Sequence, residues 1–520
     1  MEKEKYTGEV LKMKYQNPIV PGYNPDPSIC RVGDTFYLVN STFEFFPGVP
    51  VYESRNLVNW KMIGHVLDRE SQLPLTGCSP SGGIFAPTIR YHDGLYYMIT
   101  TNVNVMFASG KTGNFIVHAK DPAGPWSEPV WVDQFGIDPS LFWDDDGKCY
   151  FCGTGQGIVL FQVDPITGER LSEKKTISNG SGGKCPEGPH IYKKDGWYYL
   201  MLAEGGTEFG HMETIARSKN IDGPYEFRPG GPMLTCRDET GNGNPIQCTG
   251  HADLVDDANG NWWVVCLGTR PIGPMAHHLG RETFLAPIFW EDGWPYMVNQ
   301  GVMKMEMEAE LPEAETVTAA SDDIHADFTA MKCIHCLPKN FTWLRNPVME
   351  NYQIRNGLHL RGTDQRLSTP NTTPSWLGIR QTQMKTETIA VLQADIPEGA
   401  SAGLTAYGIH THHYDVLITR RYGKLYAQLR KHLYDMEMVT SEIPLDDCET
   451  VSLKIVSDKT WYTFHVLAGE AWITLGTAYT IGLATEVTEN MTFTGTFLAI
   501  FAEGGEAVFK SFDYRARWAI

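Results

Sequence analysis

One phrase recurs five times between Asn24 and Val265, and it restricts the fold more than any other property of the chain. Asp26-Pro27-Ser28-Ile29 is followed by Gly33-Asp34-Thr35-Phe36-Tyr37-Leu38, and Ala86-Pro87-Thr88-Ile89 by Gly94-Leu95-Tyr96-Tyr97-Met98-Ile99. Asp138-Pro139-Ser140-Leu141 leads to Gly147-Lys148-Cys149-Tyr150-Phe151, and Gly188-Pro189-His190-Ile191 to Gly196-Trp197-Tyr198-Tyr199-Leu200. His251-Ala252-Asp253-Leu254 leads to Gly260-Asn261-Trp262-Trp263-Val264. Each unit joins a short apolar strand to an aromatic-rich one through an Asp, Asn or Gly turn, which describes a hairpin. The units start about fifty to sixty residues apart, the length of one four-stranded propeller blade. Prolines at the unit starts agree, because proline is tolerated at a strand's first residue and not in its middle. The sequence therefore predicts an all-β chain opening with a five-bladed β-propeller.

Equivalent positions of a repeat arranged around an axis converge. Asp26 and Asp138 occupy the same repeat position and Glu187 is offset from it by one residue. Taken singly, each acid has a bland explanation: Asn24-Pro25-Asp26-Pro27 is turn chemistry, Asp138 also precedes a proline, and Glu187 suits a solvated loop. Their common register at the axis is what singles them out. Three carboxyl groups in one pocket can supply the acid and base that hydrolysis of a glycosidic bond requires.

The repeat stops near Asn299, and Glu306, Glu308, Glu310, Glu313 and Glu315 mark an acidic exit. Beyond it, hairpin patterns such as Tyr414–Thr419 with Lys424–Leu429, and Val451–Ile455 with Trp461–Val466, alternate as in a β-sandwich with one face buried. The expected division is a propeller over residues 1–310 and a sandwich of jelly-roll or concanavalin-like type over 311–520.

A net charge of −19 disfavours nucleic acid and anionic membranes as partners, since both need a basic surface. No apolar run is long enough to span a bilayer. Met1-Glu2-Lys3-Glu4-Lys5-Tyr6 has mixed charge and no apolar segment after it, and eleven cysteines are an odd number; both favour a cytoplasmic location with reduced thiols. Cys149-Tyr150-Phe151-Cys152 and Cys333-Ile334-His335-Cys336 have zinc-like spacing, but the first pair lies inside an apolar strand and the two belong to different expected domains.

The chain resembles glycoside hydrolase family 43, in its two-domain β-xylosidase and α-L-arabinofuranosidase group. The resemblance rests on Asn24-Pro25-Asp26-Pro27-Ser28-Ile29, Ser41 through Val49, Gly82-Gly83-Ile84-Phe85-Ala86-Pro87, Ile137-Asp138-Pro139-Ser140-Leu141-Phe142, Glu187-Gly188-Pro189-His190, Gly250-His251-Ala252 and Leu279-Gly280-Arg281-Glu282-Thr283, in that order. It implies an inverting exo-hydrolase that removes terminal β-D-xylosyl residues from short oligosaccharides, with α-L-arabinofuranosyl residues as the alternative. Asp26 would be the general base, Glu187 the general acid, and Asp138 the group that raises the proton affinity of Glu187 and orients it. Arg281 would bind sugar hydroxyls, Phe43 and Phe85 would form the apolar wall, and Phe493 would close the pocket or else belong to the sandwich core. His251 would contact the acids, sit in the core, or ligate a central calcium with waters as in some relatives; no cofactor is required. A dimer or tetramer is expected from the same resemblance. Phe85 stands where many β-xylosidases of the group have Trp, and Ile137 where they have Phe, which leaves the terminal sugar open. A retaining fructosidase-type propeller fails on the residues around Asp26, Asp138 and Glu187, and a non-catalytic sugar-binding propeller would be expected to have lost one of them.

Overall fold

The computed structural model describes residues 12–108, 111–239, 242–273, 276–318, 321–488 and 492–517. Met1–Tyr6, on which the reading of the N-terminus rests, lies outside them. Five antiparallel sheets follow one another along the chain from Ser28 to Met297, the first passing over the short strand Phe45–Phe46. Their first strands are Ser28–Val32, Thr88–His92, Ile137–Trp143, Glu187–Lys194 and Gln247–Asp256. Each of these lies beside the next, and the last beside the first, so the sheets form a closed ring. The turns obey the local chemistry. Asp93-Gly94, Asp195-Gly196 and Asp292-Gly293 carry positive φ at both residues, as two-residue hairpins of the primed type demand.

A layer of polar side chains laces the inner strands together at every junction. Ser28 Oγ donates to Asp253 Oδ2 at 2.7 Å, joining first and fifth sheets, and Ile89 N donates to Ser28 Oγ at 3.1 Å, joining second and first. Thr88 Oγ1 reaches Pro139 O (3.0 Å) and Ser140 Oγ reaches Pro189 O (2.6 Å). Tyr192 OH donates to Asp253 Oδ1 at 2.6 Å and closes the circle. Arg90 fills the middle, donating to both oxygens of Asp253 (2.8 and 3.1 Å), with a ring nitrogen of His190 at 3.0 Å. Burial pushes the Asp253 carboxyl up, but Arg90 and His190 outweigh it, and the group is held below the usual carboxylate range. The ring carries its own outer seam as well. Strand Met13–Gln16 pairs with Glu306–Ala309, and Asn17 exchanges hydrogen bonds with the Leu285 backbone (2.9 and 3.0 Å).

The C-terminal strands form two stacked sheets. The six-stranded one runs Ser375–Arg380, Phe497–Glu503, Ser401–Ile409, His412–Arg421, Lys424–Leu433, Met436–Pro444. Strands Lys385–Gln393 and Thr450–Ser457 of the larger sheet alternate strictly between buried and partly exposed residues, as one-sided burial requires. Ser375–Arg380 and Phe497–Glu503 are instead buried at every position. The reason is a second contact: Trp376 and Phe497 turn from the sandwich core toward Tyr23 and Phe45 of the N-terminal half, with Phe45 and Phe497 stacked at 4.0 Å. Strand Trp343–Leu344 pairs with Phe45–Phe46, so the two halves also share a sheet.

Candidate active site

The backbone explains why the acids meet. Asp26, Asp138 and His251 hold the same repeat position, and all three have positive φ (51°, 52° and 49°). Gly188, the fourth equivalent, has φ 57°. Pairing between first and second strands slips at these points in the third, fourth and fifth sheets. Such a bulge bends the strand and re-aims the side chain, here toward the axis, at a backbone cost that Asp and His bear better than most residues. The one-residue offset of Glu187 also acquires a cause. A Cβ at Gly188 would lie 2.8 Å from His251 Nε2, so that position cannot carry a side chain and the carboxyl is supplied by its neighbour.

Asp138, Glu187 and His251 bring ligand-type atoms within 4.8 Å of one another, the one such group among the described residues. Asp26 is not a member of that group, and its Oδ1 is 3.7 Å from His251 Nδ1. Asp26 accepts from Arg281 Nη1 at 3.1 Å and from the Ser41 hydroxyl. Burial, then the Asp26 charge, raises Glu187 to about 7, with Arg281 opposing. Asp138 is pushed up as well, by burial first and by Glu187 and Asp26 next, against Arg281 and the Gly188 amide. Both carboxyls are thus biased toward the protonated form, and Glu187 is the more open of the pair. His251 is lowered by burial and remains neutral.

The apolar wall assembles from three places. Phe43 lies 5.2 Å from Phe85 and 5.6 Å from Phe493, and Phe85 and Phe493 meet edge-on at 6.1 Å. Phe493 comes from the sandwich half yet does not join the sandwich core. Arg281 lies against the rings of both Phe43 and Phe493 (5.6 and 5.4 Å) and donates to Thr207 Oγ1 at 3.1 Å. Its Nε is buried without a partner. All eight residues singled out from the sequence thus fall in one place. Ser41, Thr207 and the Arg90–Asp253 layer were not among them. Asp253 sits two residues after His251, in register with Ser28, Thr88, Ser140 and His190, so the repeat alignment already carried that signal.

Supporting contacts fix the wall. Phe493 N donates to Ser81 Oγ (2.8 Å), and Ser81 N donates to Glu44 Oε2 (2.9 Å), a buried acid raised to about 7 by burial. Arg345 Nε donates to Cys78 O (2.5 Å), and Asn346 clasps the Leu73 and Leu75 backbone. Gly280 and Gly495 touch, since a Cβ on Gly495 would be 2.2 Å from Leu279 O.

A calcium ion does not fit these residues. The axis below the pocket is already filled by the Arg90 guanidinium, and the Asp138–Glu187–His251 group offers two carboxylates and a histidine beside Arg281. Calcium takes six to eight oxygen ligands.

Comparison with known proteins places this geometry. The model of glycosyl hydrolases family 43 matches residues 15–295, and that of the β-xylosidase C-terminal concanavalin A-like domain matches 332–515. The chain is 44% identical over 520 residues to a non-reducing end α-L-arabinofuranosidase of Bacteroides ovatus, covering 96% of this chain and 94% of the relative. It is 42% identical over 434 residues to a xylosidase/arabinosidase of Butyrivibrio fibrisolvens, covering 79% and 80%. The solved structure of Bacteroides ovatus xyloglucan PUL GH43B superimposes with a TM-score of 0.90 at 41% identity, covering 97% of this chain and all of the other.

Proposed function

The chain belongs to glycosyl hydrolase family 43, and from that premise we propose that it is an inverting exo-glycosidase acting on terminal pentosyl residues of short oligosaccharides. In this reading Asp26 takes a proton from the attacking water as Glu187 protonates the departing oxygen, giving inversion in a single displacement. Burial and the Asp26 charge keep Glu187 protonated, which leaves Asp138, beside it, the part of orienting Glu187 rather than raising its proton affinity. Arg281 orients Asp26 and binds sugar hydroxyls, with Thr207 beside it, while Phe43, Phe85 and Phe493 face the apolar side of the ring. The observation that carries the reading is the split among the acids. Burial biases Glu187 and Asp138 toward the protonated form, and Asp26 is ion-paired to Arg281 and is not a member of their close group. That split assigns acid and base to different groups and leaves room for a water.

The sequence alone favoured β-D-xylosyl residues. The full-length relative named as an α-L-arabinofuranosidase and the one named as a xylosidase/arabinosidase support a broader reading, with both sugars accepted and α-L-arabinofuranosyl preferred. Comparing kcat/KM on the two aryl glycosides tests this, and a tenfold preference for the xyloside would reverse it. Time-resolved NMR of the first sugar released tests the stereochemistry. Initial appearance of the retained anomer would end the single-displacement mechanism.

A further inference from the structure

A cavity of about 740 Å³ opens where the N-terminal segment, the first sheet, the linking stretch and the sandwich meet. Ile19, Asn24, Tyr52, Trp60, Asp322 and Arg380 are among its walls, and none of the three axial carboxylates or the pocket phenylalanines is. It is a separate space.

Arg380 ends the strand Ser375–Arg380 and is only 7% exposed. Its side chain makes no hydrogen bond or ion pair with any described residue, and its Nε is buried without a partner. Tyr23 and Phe497 lie against the guanidinium at 5.4 and 6.0 Å, so aromatic faces cover part of it and satisfy none of its donors. Two acids, Asp322 and Asp323, share the cavity walls, and Asp323 is ion-paired to Arg517. Lys339 donates to Ile63 O nearby, and His65 is held neutral by burial, with Arg380 and Lys339 pressing in the same direction. Asp322 lines the cavity but forms no ion pair with Arg380, and burial pushes its carboxyl toward the protonated form. For a guanidinium, a buried donor left without a partner is unfavourable. Its planar fork suits a carboxylate or phosphate bound through two donors.

We propose that this interdomain cavity is a binding site for a small oxyanion, a carboxylate or a phosphate, seated on Arg380 with Trp60 and Tyr52 along its flanks. The volume suits a ligand as large as a sugar acid. Because the cavity is walled by both halves of the chain, an occupant would tie them together.

The test uses the full chain at constant ionic strength, titrated with inorganic phosphate, acetate, D-glucuronate and, as a neutral control, D-xylose. Calorimetry and tryptophan fluorescence, with Trp60 as the local reporter, give the affinity, and thermal melts give the linked stabilisation. The expected result is saturable binding of at least one oxyanion, at least about tenfold weaker in Arg380→Met and partly retained in Arg380→Lys. Binding of phosphate alone identifies an inorganic or phosphorylated ligand, whereas binding of acetate and glucuronate identifies an organic acid. If Arg380→Met does not fold, the lysine variant together with Trp60→Ala, read by calorimetry, carries the comparison. No oxyanion response beyond that of chloride, or an unchanged response in the arginine variants, would overturn the proposal and leave water as the partner of Arg380.

Discussion

At the scale of the residue, the pocket depends on backbone conformations that most side chains avoid. Asp26, Asp138 and His251 each hold a left-handed φ, and the stability spent there is joined by the cost of crowding acids in a buried place. A carboxyl whose folded pKa is raised has its full stability below its unfolded value and loses it as pH climbs through the folded one. For Glu187 that window runs from about 4.5 to about 7. Glu187→Gln should therefore melt like the parent near pH 4 and be roughly 2 kcal/mol more stable near pH 8, as paired thermal unfolding at the two pH values would reveal. The parent's turnover should fall as pH rises through about 7, because the same titration removes the acid. Glu187→Ala should slow alkyl glycosides about 10³-fold and aryl glycosides with acidic phenols far less, since only the former need a proton to leave. Equal losses in steady-state rates would move the acid elsewhere. The three acids were legible through repeat register and motif together, and Arg281 through the motif alone. Thr207 was not, because it reaches Arg281 from the loop after Glu204, whose position depends on the fold and not on local pattern.

At the scale of the element, the informative piece is the short stretch from Thr492 to Thr496. Thr496 N and its hydroxyl both donate to His278 O (2.8 and 2.9 Å), and Phe493 is tied to Ser81 and Arg281. This segment crosses from the sandwich to Arg281, just before the strand Glu282–Glu291, through the Gly280–Gly495 contact, where there is no room for a methyl group. Gly495→Ala should displace Phe493 and Arg281 together. The expected effect is at least a tenfold loss of kcat/KM on both aryl glycosides with an unchanged circular dichroism spectrum, since misplacement by about an ångström can cost a hundredfold. Lys385–Gln393, Thr450–Ser457 and most of Trp461–Ala468 follow the alternating pattern and were readable. Tyr414–Thr419, expected to alternate, is instead buried throughout because its strand lies inside the six-stranded sheet. The doubly buried strands Ser375–Arg380 and Phe497–Glu503 hid their second contact, because continuous burial leaves no period to read. The small helix Val103–Ala108 was missed for the opposite reason, as six residues are too few to display one.

At the scale of the whole molecule, the two halves complete one another. The sandwich contributes Phe493, covers Tyr23 and Phe45, and through Arg345 and Asn346 holds the loop that delivers Ser81 and Phe85. A protein ending at Glu310 should lose at least about a hundredfold in kcat/KM and become prone to association, because it would bare that aromatic face. Activity assays and light scattering on the shortened chain would check both. The seam of the ring has a consequence for how the molecule is made. Lys14 meets Glu306 across nearly the whole length of the first half, and Ser28 waits for Asp253. A ribosome adding about 5–20 residues per second needs roughly 11–45 s to deliver the partner of the first sheet and roughly 15–60 s to deliver that of Met13–Gln16. For all that time the opening strands have an unpaired edge and an unfilled axis. Chaperone dependence during synthesis, more than stability once folded, is where this architecture should be most exposed.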